Sequence, residues 1–162
     1  MQTYRQVIGT LWVFAQLSLI GTWGYFVLCD GDLLKQSILT FDPLLLPAGI
    51  LFTAGTILLL AGTLKLGSNL TPTPEPKQSA FLVVEGLYSR VRHPIYGGIL
   101  LMIWGVTLLV FLGEMQFPIV GTALLINLFF TAKSSYEEGR LTQRYPEYRD
   151  YKKRTWRFLP KP

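Results

Sequence analysis

Two stretches without a single charged residue, Val7 to Cys29 and Pro43 to Leu64, decide what this chain can fold into. Each exceeds the roughly 20 residues that carry a helix across a hydrocarbon core about 30 Å thick. In lipid the backbone polar groups must be satisfied within the segment, so such runs are helices. Two further uncharged runs, Ile99 to Leu112 and Phe117 to Ala132, lie near the lower limit of about 17 residues and predict crossings with little tilt or beside thinned bilayer. Half of the 162 residues are hydrophobic, more than a soluble domain of this size carries in long uncharged runs. The expectation is an all-α integral membrane protein with four transmembrane helices, a single domain over 1–162.

The first run is longer than the apolar region of a signal peptide. Gly31-Asp32 is not preceded by a small-x-small cleavage pattern, so the run reads as a retained helix. Cys29, the one cysteine, excludes an intrachain disulfide and a cysteine-rich metal site, and reads as a buried thiol at a helix end. No metal set emerges from one histidine and one distant cysteine.

The net charge of +5 is explained by where it falls. With four crossings, one side carries Arg5, Lys65, Lys77, Arg90, Arg92 and every basic residue from Lys133 onward. The other keeps Lys35 beside Asp30, Asp32, Asp42 and Glu114. This positive-inside pattern predicts cytoplasmic N- and C-termini. The expected partners of the basic side are membrane lipids with anionic headgroups, and no nucleic acid.

Residues 1–67 read as two N-terminal transmembrane helices, with Asp42-Pro43 as N-cap and first turn of the second and Gly67 as its terminator. From 68 to 162 the organisation changes. Leu70 to Pro76 holds three prolines and favours an extended path. Glu85-Gly86 suggests a turn, and Pro94 fits the first turn of a third helix starting near His93. A fourth helix starts near Pro118, after the short Gly113 to Gln116 connection. From Lys133 the pattern is polar, aromatic and basic; Ser134 to Gln143 reads as helical, broken at Tyr145-Pro146.

Chemistry concentrates at Arg92-His93-Pro94-Ile95-Tyr96-Gly97-Gly98, at the mouth of the third helix. Tyr96 lies three residues after His93, so the two share a face. A hairpin of the third and fourth helices returns Glu137-Glu138 to the level of Arg92 and His93. Adjacent residues diverge by about 100°, so one glutamate is expected to face the mouth. Gly98 and Gly105 leave a groove that admits a neighbouring helix or a ligand, and small-residue helix packing is the commoner use. There is no P-loop, GxGxxG fingerprint or nucleophile elbow.

The ordered set of Leu70-Thr71-Pro72-Thr73-Pro74, Gly86 to Gly98, Glu137-Glu138, Tyr145 to Tyr151 and Arg154 to Pro160 resembles the isoprenylcysteine carboxyl methyltransferase family, related to the phospholipid methyltransferases. The resemblance covers roughly residues 68 to 160. It implies an S-adenosylmethionine-dependent membrane enzyme whose cytoplasmic C-terminal helical tail completes the cofactor site. By that likeness Arg92, His93, Tyr96, Gly98, Glu137, Glu138 and Tyr148 are the candidate cofactor-binding residues. The acceptor is expected to be a lipid or amphiphile, a carboxylate being favoured, in a prokaryotic inner or plasma membrane. A carboxylate needs an orienting cation, for which Arg157 and Arg154 are candidates; an amine or thiol needs proton removal, for which Glu138 is. The competing expectations are a nicotinamide-dependent membrane reductase and a non-catalytic assembly or lipid-binding module.

Overall fold

The computed structural model describes residues 2–30, 32, 43–74, 81–111 and 116–160, with side chains from residue 6 onward. Among the described residues five helices have defined bounds: α1 Gln2–Cys29, α2 Leu45–Leu66, α3 Pro94–Leu109, α4 Gln116–Arg144 and α5 Tyr148–Arg154. Among the described residues there is no strand, only a parallel bridge between Val91 and Trp156. By length and composition α1, α2 and α4 can cross a membrane, while α3 is a shorter apolar helix of 16 residues. At about 1.5 Å per residue α3 covers some 24 Å, less than a full hydrocarbon core.

Several boundaries differ from those read in the sequence. The second helix begins at Leu45, with Pro43 and Leu44 in a turn; Asp42 and most of the 113–116 connection lie outside the described residues. Gly67 does end α2, at a φ of 51° that a side chain would disfavour. The fourth apolar run and the polar segment after it form one continuous 29-residue helix. Nothing between Ala132 and Ser134 breaks it, since the change is in polarity and not in helix propensity. Cys29 is exposed at the end of α1, not buried.

The four long helices alternate in direction. Gly55 of α2 faces Gly98 of α3, Gly62 faces Pro94 and Ile95, and Ala48 faces Gly105, so α2 and α3 are antiparallel. A Cβ on Gly98 would stand 2.6 Å from the Gly55 carbonyl oxygen, and one on Gly105 would stand 2.9 Å from that of Ala48. The groove foreseen at Gly98 and Gly105 is therefore filled by α2. On the other flank Leu100 and Ile103 of α3 pack with Ala123, Ile126 and Phe130 of α4. Helix α1 covers that seam: Trp12 meets Phe129 and Tyr136, Trp23 donates to Thr107 Oγ1 at 3.0 Å, and Val27 joins Val110 and Ile119 at the far end. The resulting order is α1–α4–α3–α2. The start of α1, the ends of α2 and α4 and the start of α3 share one end of the bundle. Outward side chains such as Leu11, Phe14, Ile50, Leu64, Phe117 and Leu128 are exposed and apolar, as lipid-facing surface must be.

The close approach of α2 and α3 is testable. Gly98→Ala should destabilise by about 1–3 kcal/mol through overpacking. Gly121→Ala, where a Cβ meets nothing within 4 Å, should stay within about 1 kcal/mol of wild type. Unfolding of both variants in detergent micelles reads the difference.

Candidate active site

The shared end of the bundle is organised by the loop that precedes α3. A short 3-10 turn, Gly86–Ser89, brings in Tyr88, whose hydroxyl donates to the Gly62 carbonyl at 3.2 Å and so fixes the loop to α2. The chain after α4 then locks onto it. Tyr151 donates to the Tyr88 carbonyl at 2.6 Å. The Arg92 N–H donates to the Trp156 carbonyl and the Trp156 N–H to that of Arg90, both at 2.8 Å, and the His93 N–H donates to the Arg157 carbonyl at 2.9 Å. Gly97 lets this strand-like tail come close: a Cβ there would collide with the Phe158 carbonyl.

A buried charge cluster sits beneath the clamp. Glu138 is 1% exposed. Arg92 Nε donates to its Oε1 at 2.9 Å, Lys152 Nζ stands 2.7 Å from its Oε2, and Arg157 Nη2 stands 3.7 Å from the same oxygen. Arg92 Nη1 also donates to the carbonyls of Lys152, at 3.0 Å, and Thr155. His93 lies between the two glutamates. Its Nδ1 is 3.4 Å from Glu137 Oε2, and its Nε2 is 3.3 Å from Glu138 Oε1, though without an aligned hydrogen bond. The expectation that one glutamate would face the mouth is corrected. Their backbones diverge, but both side chains are long enough to converge on opposite edges of one imidazole.

The environment sets the protonation of these groups. Burial pulls the His93 pKa down, but the two carboxylates outweigh it and raise it above its ordinary value. The hydroxyls of Tyr88 and Tyr148 are raised by burial, and that of Tyr151 is pushed up to about 12, again chiefly by burial. All three therefore remain protonated donors at neutral pH. Tyr96 stacks parallel to His93, with centroids 5.5 Å apart, and its hydroxyl donates to Glu137 Oε1.

Beside the cluster lies a cavity of about 490 Å³, within the range of small-molecule sites. Of the residues singled out in the sequence, Arg92, His93, Tyr96, Glu137 and Tyr148 line it. Glu138 stands behind them, in the charge cluster. Arg157 pairs with Glu138 and donates to the Thr131 carbonyl at 3.4 Å. Arg154 is exposed, its Nε donating to the Asp150 carbonyl at 3.3 Å, and Gly98 is turned toward α2; these two are not brought to the cavity. The sequence reading missed Gln16, Asn69, Lys133, Tyr88, Tyr145 and Tyr151, which also line it. For Lys133 a signal existed, since it precedes Glu137 by four residues and shares its helix face.

The family model for phospholipid methyltransferases matches residues 45–148, more than half of the chain. The chain belongs to the phospholipid methyltransferase family. The family match takes in α2, α3 and α4 and leaves α1 outside. The chain is also similar to a protein-S-isoprenylcysteine O-methyltransferase of Dictyostelium discoideum, 34% identical over 97 residues. That alignment covers 58% of this chain and 40% of the relative. The resemblance carried by the motif set is thus borne out at family level.

Two measurements probe the cluster. Glu138→Ala leaves Arg92 buried without its partner and should cost about 3–5 kcal/mol, whereas Glu137→Ala should cost clearly less; thermal unfolding in detergent compares them. The raised His93 pKa gives a pH dependence of defined sign. Its contribution is fully present below the unfolded value of about 6.5 and is lost as pH rises through the higher folded value. Melting temperature should fall across that alkaline window, and His93→Gln should flatten the fall.

Proposed function

We propose that the protein transfers a methyl group from S-adenosylmethionine to a lipid-like acceptor at the cytoplasmic face of a membrane, an acceptor carboxylate being favoured. The cavity carries this reading. It sets one carboxylate, Glu137, among the rings of Tyr96, Tyr145 and Tyr148, at the junction of apolar helices and a polar clamp. A carboxylate and aromatic faces suit a sulfonium cation. Arg92 and His93 at the same wall suit the anionic end of the cofactor. The donor supplies, when bound, an electrophilic methyl group on sulfur. The chain's residues orient the reactants and keep water out, which is where the rate of such a displacement is gained.

Among the paired glutamates, Glu137 faces the cofactor in this reading, and Glu138 positions the loop and tail through Arg92, Lys152 and His93. The tail completes the site, because α5 and the residues around it supply Tyr145, Tyr148 and Tyr151. A carboxylate acceptor is already ionised near neutral pH and needs no general base. The oxygen acceptor in the name of the Dictyostelium relative agrees with that choice. We take α3 as the fourth crossing, because its far end packs at the level of Val27 and Ile119. The basic residues at the shared end support cytoplasmic termini, as the positive-inside rule expects.

Calorimetry on detergent-purified protein tests the reading. Saturable S-adenosylmethionine binding is expected, weakened about tenfold or more, the scale of 1.4 kcal/mol, in Glu137→Gln and Tyr96→Phe with helical content unchanged. A folded wild-type protein that binds no S-adenosylmethionine would sink it. Incubation with methyl-labelled donor and native lipid extract then identifies the acceptor by the labelled product.

A further inference from the structure

One cation of the cavity plays no part in the reading above. Lys133 projects from α4 and is 2% exposed, well inside an apolar bundle. Its Nζ donates to Gln16 Oε1 of α1 at 2.6 Å and to the Pro72 carbonyl at 3.3 Å, and lies 5.3 Å from the centre of the Tyr96 ring. Both hydrogen-bond partners are neutral oxygens. Glu137 acts on it through space without a direct contact, giving its two oxygens to Tyr96 and His93, and Glu138 is held by Arg92, Lys152 and Arg157.

A buried ammonium held by neutral groups is costly unless something else supplies the opposite charge. A second donor in the same cavity lacks an acceptor. Asn69 Nδ2 is buried and makes no hydrogen bond, while its Oδ1 accepts from the Phe81 N–H at 3.3 Å. An ammonium whose direct partners are neutral and an amide N–H with no acceptor call together for an anionic oxygen group. The neighbouring wall is apolar, with Val13 and Leu17 of α1 and Ile99 of α3. The group called for is therefore the head of a molecule with an apolar body.

We infer that Lys133, with Gln16 as its resting partner, is the subsite for the carboxylate of the acceptor, an amphiphile with an anionic head on an apolar chain. The word acceptor rests on the methyl-transfer reading; the anion site does not. At rest the Gln16 oxygen holds the ammonium, and it yields that place to the incoming carboxylate. A methyl ester carries no charge for Lys133 to hold, so the methylated form binds more weakly than the acid. Helix α1, outside the family match at 45–148, thereby helps decide which molecule is accepted.

Calorimetry in neutral detergent with three probes, dodecanoate, methyl dodecanoate and dodecyl phosphate, tests the site directly. Wild type should bind dodecanoate about tenfold or more tightly than its methyl ester, as a charge-assisted contact requires. Lys133→Gln should abolish that preference and Lys133→Arg should keep most of it. Gln16→Glu, which gives the ammonium an internal counter-ion, should abolish it even if Lys133→Gln fails to fold. S-adenosylmethionine affinity should change less than about twofold in Lys133→Gln, as for a residue off the cofactor. The inference is overturned if wild type binds acid and ester alike, if Gln16→Glu keeps the preference, or if dodecyl phosphate binds while dodecanoate does not. It is also overturned if Lys133→Gln loses S-adenosylmethionine affinity but not affinity for decarboxylated S-adenosylmethionine, which assigns Lys133 to the cofactor's own carboxylate. Failure of the methyl-transfer reading looks different: wild type then binds no S-adenosylmethionine, whatever it does with dodecanoate.

Discussion

The ion pair between Arg92 and Glu138 is the contact on which the polar end of the bundle depends. It joins three separate parts of the chain: the loop before α3, the last third of α4 and, through the carbonyls of Lys152 and Thr155, the tail. Taking both charges from water is expensive, and the geometry compensates by giving nearly every donor and acceptor an oppositely charged or polar partner. Around this pair the other features fall into place. His93 is seated by the two glutamates, Tyr96 is aligned by His93 and Glu137, and the cavity takes its polar wall from the result.

Bare backbone does the complementary work. Gly55, Gly62, Gly98 and Gly105 bring α2 against α3, and Gly97 admits the Phe158 carbonyl on the neighbouring face. Without a hydrophobic force between helices in lipid, such close packing is what binds them. Successive glycines of one motif thus serve different partners: Gly97 the tail, Gly98 a helix.

Much of the fold was legible because lipid as a solvent leaves the chain few options. Uncharged runs fixed the long helices, Gly67 ended the second, and the spacing of Arg92-His93 and Glu137-Glu138 across a hairpin foretold that they would meet. What was not legible depends on direction and not on residue type. Gly98 belongs to a cofactor-like motif by position, yet its face is turned to α2. Arg154 and Arg157 look equivalent in a basic tail, but the bridge at Trp156 sends them different ways. Lys133 reads as one more charge at the inner end of a helix until α1 and Pro72 are seen to enclose it. The polar segment after Ala132 offered no break, and only the structure makes it a continuation of α4.

The bridge between Val91 and Trp156 has a bearing on how the molecule is made. Its two halves are separated by the whole of α3 and α4, and the later half follows the four long helices described above in the order of synthesis. The bundle can therefore enter the membrane and pack while the polar end still stands open. The wall of the cavity contributed by Tyr145, Tyr148 and Tyr151 comes from residues that follow those helices in the chain. Insertion of the bundle and closure of its polar end thus draw on different forces, the first on lipid and the second on hydrogen bonds and charge.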